Sequence, residues 1–202
     1  MRISGGSAKG RKVGLKKAFT KKGEGSDLRP TSAKVRKAVF DILGAGIIDA
    51  RFLDLYAGTG AVGIEALSRG AGRVVFVDEN ALRVKIIREL TEKFGFKDRA
   101  DVIREKAAVF VKKAESVFDI VFVDPPYASE ELQAILPLID GREILSESGI
   151  VIAEHPSKIS LPEIIGSLEL GKRYKYGDTS LGVYRVSRGQ SLFYDSAPLR
   201  PW

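Results

Sequence analysis

The feature that most narrows the possible folds is an alternation that starts at Arg51 and runs to His155. Short apolar runs (RFLDLY, RVVFVD, ADVIRE, FDIVFVD, GIVIAEH) alternate with segments of helical period (AVGIEALSRG, NALRVKIIRELTEKFG, KAAVFVKKA, SEELQAILPLID). Runs so rich in Val, Ile and Phe belong to strands buried on both faces, and strands joined through helices lie parallel. The alternation therefore predicts an α/β fold, with a mostly parallel sheet and helices on both faces. The tail RYKYGDTSLGVYRVS reads differently, as two extended segments around a Gly-Asp turn, which predicts an antiparallel hairpin at the sheet edge and seven strands in all. Ahead of the alternation, RPTSAKVRKAVFDIL is a helix capped by Thr31 or Ser32. Val35, Val39 and Ile42 form its apolar stripe, widened by Ala38 and Leu43. Lys34 and Lys37, with Arg36 nearby, are placed on its opposite face.

Charge divides the chain in two. Residues 1–37 hold 12 Lys and Arg against Glu24 and Asp27, whereas the rest holds 21 basic against 24 acidic residues. The expectation is a basic N-terminal arm or hairpin over residues 1–29, followed by one domain over 30–202. Cations gathered at one end suit a polyanionic partner, because each one placed near a phosphate releases counterions. The absence of cysteine removes thiolate chemistry and zinc–sulfur sites, and the single histidine, His155, argues against a His-based metal site. No apolar run reaches the roughly 18 residues of a spanning helix, and the start MRISGGSAKG lacks the apolar core of a secretion signal. A cytoplasmic protein without a metal is expected.

Ligands of open parallel sheets bind beyond the carboxyl ends of the strands. Three acids close predicted strands: Asp54, Asp78 and Asp124. Between the first two lies DLYAGTGAVG, whose Gly58, Gly60 and Gly63 satisfy G-x-G-x-x-G. Gly58 and Gly60 let a ligand approach the backbone at a helix N-terminus, Gly63 lets that helix pack near the strand, and Asp78, at the end of the next strand, suits ribose hydroxyls. The loop thus supports a ribose-bearing cofactor without choosing between NAD and S-adenosylmethionine. Asp54 favours the latter, since a carboxylate there can hold an ammonium group, which NAD lacks. So does Asp124-Pro125-Pro126-Tyr127 after FDIVFV. Two prolines remove two backbone donors and leave carbonyls that only accept. Beside a carboxylate and an aromatic face, they form a receptor for a flat group with an exocyclic amine.

With these motifs the chain resembles the class I S-adenosylmethionine-dependent methyltransferases that act on exocyclic amines, a Rossmann-like fold. More narrowly, RPTSAKVRKAVFDIL, GIEALSRGA, EHP and YGDTSLGVYR resemble the RsmD-like family, which methylates guanine N2 in 16S ribosomal RNA. The resemblance implies S-adenosylmethionine as cofactor, with Asp54, Tyr56, Gly58, Thr59 and Gly60 around its methionine part. Asp78 would then hold the ribose, with Glu79 and Asn80 beside the adenine. Where the family often carries an acidic or amide residue, this chain has REKAA, bringing Lys106 and Ala107 to the adenine position. Asp124, Pro125, Pro126 and Tyr127 become the catalytic motif. Arg29, Thr31 and Arg36 would face RNA at the mouth of the site, with Arg2, Lys9, Arg11 and Lys12 of the basic arm also on RNA. The partner implied is 16S rRNA in a small-subunit particle. An adenine-N6 methyltransferase and an NAD-dependent oxidoreductase stay open as alternatives. His155 is read as a hydrogen-bonded structural residue, and the ending from Ser187 to Trp202 is unassigned.

Overall fold

The computed structural model describes residues 2–12, 31–126 and 128–187. Helix α1 (Ala33–Leu43) starts where Ser32 accepts the Val35 N–H at 3.2 Å. The alternation then follows as β1 (Arg51–Asp54), α2 (Ala61–Ser68), β2 (Arg73–Asp78), α3 (Ala81–Lys93), β3 (Ala100–Arg104), α4 (Ala107–Lys113), β4 (Phe118–Val123), α5 (Ala128–Gly141) and β5 (Leu145–Pro156). Strands β6 (Ile164–Ile165), β7 (Leu168–Tyr176) and β8 (Thr179–Val186) complete the sheet. Its order is β3-β2-β1-β4-β5-β8-β7-β6, parallel through the first five strands and antiparallel through the last three. The predicted hairpin is β7–β8, turning at Gly177 and Asp178. The sheet has eight strands rather than seven. The extra strand, β6, is a two-residue edge piece, too short to leave a period in the sequence.

Each face of the sheet has its own core. Phe52, Phe76, Ile120, Phe122 and Ile152 pack beneath α1, α2 and α3, while Leu53, Val77, Val121, Val123 and Val151 pack against α4 and α5. Burying one such side chain stabilises the fold by about 1.5–3 kcal/mol. Helix α2 lies so close to β2 that a Cβ on Gly63 would stand 2.2 Å from the Phe76 ring, so this glycine serves packing.

Two residues of the stretch 2–12, Ile3 and Ala8, belong to the first core. Arg2 bridges Lys12 in antiparallel fashion, and Ile3 and Ala8 are buried. The Ser7 N–H donates to the Ser68 carbonyl at 2.7 Å and the Ala8 N–H to the Ser68 hydroxyl at 2.9 Å. This stretch is docked on the end of α2.

Candidate active site

Every second residue of a strand points to the same face. Asp54 follows Phe52, Asp78 follows Phe76, Asp124 follows Phe122 and Glu154 follows Ile152, all four being core residues on the α1–α3 side. The carboxylates therefore emerge on that side, in the sheet order β2, β1, β4, β5. Asp54 is in register with Phe76 and Phe122, and Val123 with Ala153. Asp78 and Asp124 thus stand one pleat above Asp54 on either side, and Asp124 is a direct neighbour of Glu154.

The loop after β1 is built around these acids. The Gly63 N–H donates to Asp54 Oδ2 at 3.0 Å, and the Gly58 N–H to Asp78 Oδ2 at 2.9 Å. Gly60, at the N-cap of α2, has φ +71, a left-handed conformation strained for any residue with a Cβ. Thr59 beside it is buried. Tyr56 is half-buried and donates its hydroxyl to Glu131 Oε2 of α5 at 2.8 Å. Burial first, then that hydrogen bond and the charge of Glu131, push its phenol above the ordinary tyrosine range. Beyond β2, Asp78 Oδ1 accepts the Asn80 N–H at 2.9 Å, and Asn80 caps α3 by accepting from Leu82 and Arg83. Glu79 is exposed. The Glu105 N–H donates to the Asp78 carbonyl at 3.2 Å, which brings the turn carrying exposed Lys106 and buried Ala107 alongside.

Thr31 is half-buried, and its hydroxyl donates to Asp124 Oδ2 at 3.0 Å, so it serves the acid of the DPPY motif directly. Pro125 is buried and Pro126 exposed. Tyr127 and Arg29 lie outside the described residues.

The electrostatics of the row are uniform in sign. Burial, opposed by the Gly63 N–H and reinforced by the charges of Asp124 and Asp78, raises the Asp54 carboxyl to about 7. Burial raises Asp124 too, against the pull of the Thr31 hydroxyl. Burial and the charge of Asp124 raise Glu154. Among the described residues the one cation reaching the row is Arg83, 3.5 Å from Asp78. No three His, Cys, Asp or Glu side chains among them converge to hold a metal ion. The four acids stand in a row with that single cation beside them, and a cationic ligand carrying amine and hydroxyl donors fits that set of acceptors.

The family model described as conserved hypothetical protein 95 matches residues 1–185. The chain belongs to the RsmD-like family of class I methyltransferases. It is 37% identical to the putative rRNA methyltransferase YlbH of Bacillus subtilis, over 92% of this chain and 98% of that protein. It is 31% identical to ribosomal RNA small subunit methyltransferase D of Escherichia coli, over 95% and 93%. The solved structure of the putative methyltransferase yhhF from Escherichia coli superposes with a TM-score of 0.81 at 26% identity, covering 93% of this chain and 99% of that one.

Two segments that carry the RsmD-like resemblance meet in space, and their meeting corrects one expectation. Arg36 does not lie on the surface. It is 2% exposed, donating through Nε to Glu65 Oε2 at 3.0 Å and through its Nη2 to the Arg2 carbonyl at 3.1 Å. Glu65, fully buried in α2, also accepts from Arg69 at 3.0 Å and from the hydroxyl and amide of Ser4. A buried carboxylate demands such partners, and Arg36 meets that demand from α1. Arg2, Lys9, Arg11 and Lys12 are exposed. The Arg11 guanidinium sits 5.9 Å from the ring of Phe94, the C-cap of α3. Helix α3 starts beside Asp78 and runs back towards the amino end of β3, so Arg11 stands at the end of the sheet opposite the acids.

His155 is buried with Nδ1 3.0 Å from the Pro156 carbonyl and lies on the other face of β5 from Glu154. Sequence reasoning missed Glu154 itself. Its available signal was the position of EHP at the far end of an apolar run.

Proposed function

We propose that this chain transfers a methyl group from S-adenosylmethionine to the exocyclic N2 of a guanine in 16S ribosomal RNA, in the setting of a small-subunit particle. The observation that carries the reading is the succession of carboxylates along one side of four adjacent strand ends. Asp78 suits ribose hydroxyls, Asp54 an ammonium, and Asp124 the amine of an acceptor. The names of the Bacillus subtilis and Escherichia coli relatives support ribosomal RNA as the substrate. When bound, the cofactor supplies a methyl group on a positively charged sulfur.

The residues of the chain do the rest. Asp54 and the loop from Tyr56 to Gly60 hold the methionine part, and the turn at Lys106 and Ala107 closes over the adenine beside Asp78. The guanine amine is a poor nucleophile because its lone pair is delocalised into the ring. Asp124 and the Pro125 carbonyl accept its two N–H bonds, favour pyramidal nitrogen and aim the lone pair across towards β1. Hydrogen bonds to an ionised acceptor are roughly twice as strong as neutral ones. As nitrogen gains its carbon substituent it loses one proton, which Asp124 takes and passes to water. General-base assistance of this kind is worth about 10²–10⁴ in rate. Arranging the two reactants in line contributes on the order of 7–11 kcal/mol.

The test is methyl transfer to small-subunit particles and to free RNA, followed by mass spectrometry of the nucleosides. N2-methylguanosine is expected, and Asp124→Ala should abolish it while cofactor binding persists. N6-methyladenosine, or no transfer to either substrate, would remove the proposal.

A further inference from the structure

The chemistry above uses Asp124 and leaves its neighbour Glu154 without a task. We propose that Glu154 accepts the N1–H of the target guanine and so selects guanine over adenine. The inference rests on the reading of the chain as a guanine-N2 methyltransferase.

Three observations lead there. The strands run in the order β2, β1, β4, β5, so the donor lies over β1, the amine is held over β4, and the rest of the base edge extends over β5. Adjacent strands are about 4.8 Å apart, and Glu154 is the neighbour of Asp124 on that side, as the Val123–Ala153 register requires. Glu154 Oε2 is enclosed and has no hydrogen-bond partner among the described residues. Buried polar atoms without partners are uncommon in folded proteins, and one beside the acid that takes the amine is an acceptor free for the substrate. Burial and the charge of Asp124 raise its carboxyl to about 8 in the free chain, and N–H groups of the base at both acids favour the ionised forms.

Guanine presents two donors side by side, N1–H and the N2 amine. Adenine presents N1 as a bare lone pair next to its N6 amine. With the amine on Asp124, an ionised Glu154 meets a donor in guanine and a repelling lone pair in adenine.

The experiment offers the full chain its RNA substrate with either guanine or 2-aminopurine at the target position. 2-Aminopurine keeps the 2-amino group but has a lone pair at N1. Sites built to hydrogen-bond a group reject analogues lacking it strongly, so wild type should prefer guanine by at least about 100-fold. Glu154→Gln is nearly isosteric, and its amide can donate to that N1. It should slow transfer to guanine and bring the preference to within about tenfold, with cofactor affinity unchanged and no loss of stability. The analogue also lacks O6, but equally for both proteins, so the change in preference isolates N1. Equal preferences in the two proteins, or ready use of 2-aminopurine by wild type, overturn the inference while leaving the methyltransferase reading intact. If the variant does not fold, ready use of 2-aminopurine by wild type still overturns the inference. Failure of wild type to methylate guanine removes the underlying reading and the inference with it.

Discussion

Two carboxylates in this molecule are almost equally inaccessible and behave in opposite ways. Glu65 in α2 is 0% exposed and Asp54 at the end of β1 is 2% exposed. Burial alone would raise both. At Glu65 the hydroxyl and amide of Ser4, then Arg69 and Arg36, outweigh it and hold the carboxyl below its usual range. At Asp54 a single N–H opposes burial while Asp124 and Asp78 add to it. Burial therefore does not mark the functional acid. What marks it is the lack of partners inside the chain, because a group that folding leaves uncompensated is waiting for something else. Glu65 holds together the N-terminal loop, α1 and α2; Asp54 is arranged for a ligand.

The largest expected effect breaks the satisfied side. Arg36→Ala leaves Glu65 short of a buried cation, a change that costs about 3–5 kcal/mol. For a chain of this length that corresponds to a fall in Tm of roughly 10 °C. RNA affinity, measured on the folded fraction at low temperature, should stay the same. Unaltered stability with weaker RNA binding and a shallower salt dependence would instead make Arg36 a phosphate contact, and the contrast with Asp54 would dissolve.

Asp54→Asn probes the other side. A carboxyl raised in the folded state contributes its stability in full below the unfolded value of 3.8, and loses it as pH rises through about 7. The variant keeps an oxygen for the Gly63 N–H and carries no charge. Without cofactor it should therefore be more stable than wild type by about 2–4 kcal/mol at pH 8, and nearly equal to it at pH 4. Urea unfolding across that range measures the gap, which should open between pH 4 and 7 and then level off. Its cofactor affinity should fall in return. A gap independent of pH would show that Asp54 is compensated in the fold after all.

The same distinction explains what the sequence could and could not reveal. Asp54, Asp78 and Asp124 were legible because an acid closing an apolar run has few places to go except the crevice above the sheet. Glu154 obeys that logic but was hidden. Strand β5 continues past it through His155 and Pro156 to pair with the antiparallel β8, so it does not close its strand as the other three acids do. Arg36 and Glu65 were illegible for another reason. Each lies on a helix, where a charged residue ordinarily faces water, and their pairing depends on a helix crossing that no local period encodes. One sign was present: Glu65 sits in AVGIEALS, a helix with no polar face, every position of which is buried. Ile3 and Ala8 are isolated apolar residues among glycine and lysine, and their docking on α2 has no periodic signature.

The smallest effect sharpens the comparison within the site. Thr31 is the one described side chain that donates to an acid of the DPPY motif, and it pulls Asp124 down against the upward push of burial. Thr31→Val keeps the shape and removes the donor, so the Asp124 carboxyl should rise further. Because the proposed base must be ionised to accept a proton, the acidic limb of the rate profile should move to higher pH, with a loss of about two- to fivefold at pH 7. The plateau at high pH should be retained, since there Asp124 is ionised with or without its partner. Single-turnover transfer between pH 5 and 9 separates the possibilities. An equal loss at every pH would mean that Thr31 positions the loop and leaves the charge of Asp124 alone. An unchanged profile would mean that the proton leaves by a route that does not involve this carboxylate.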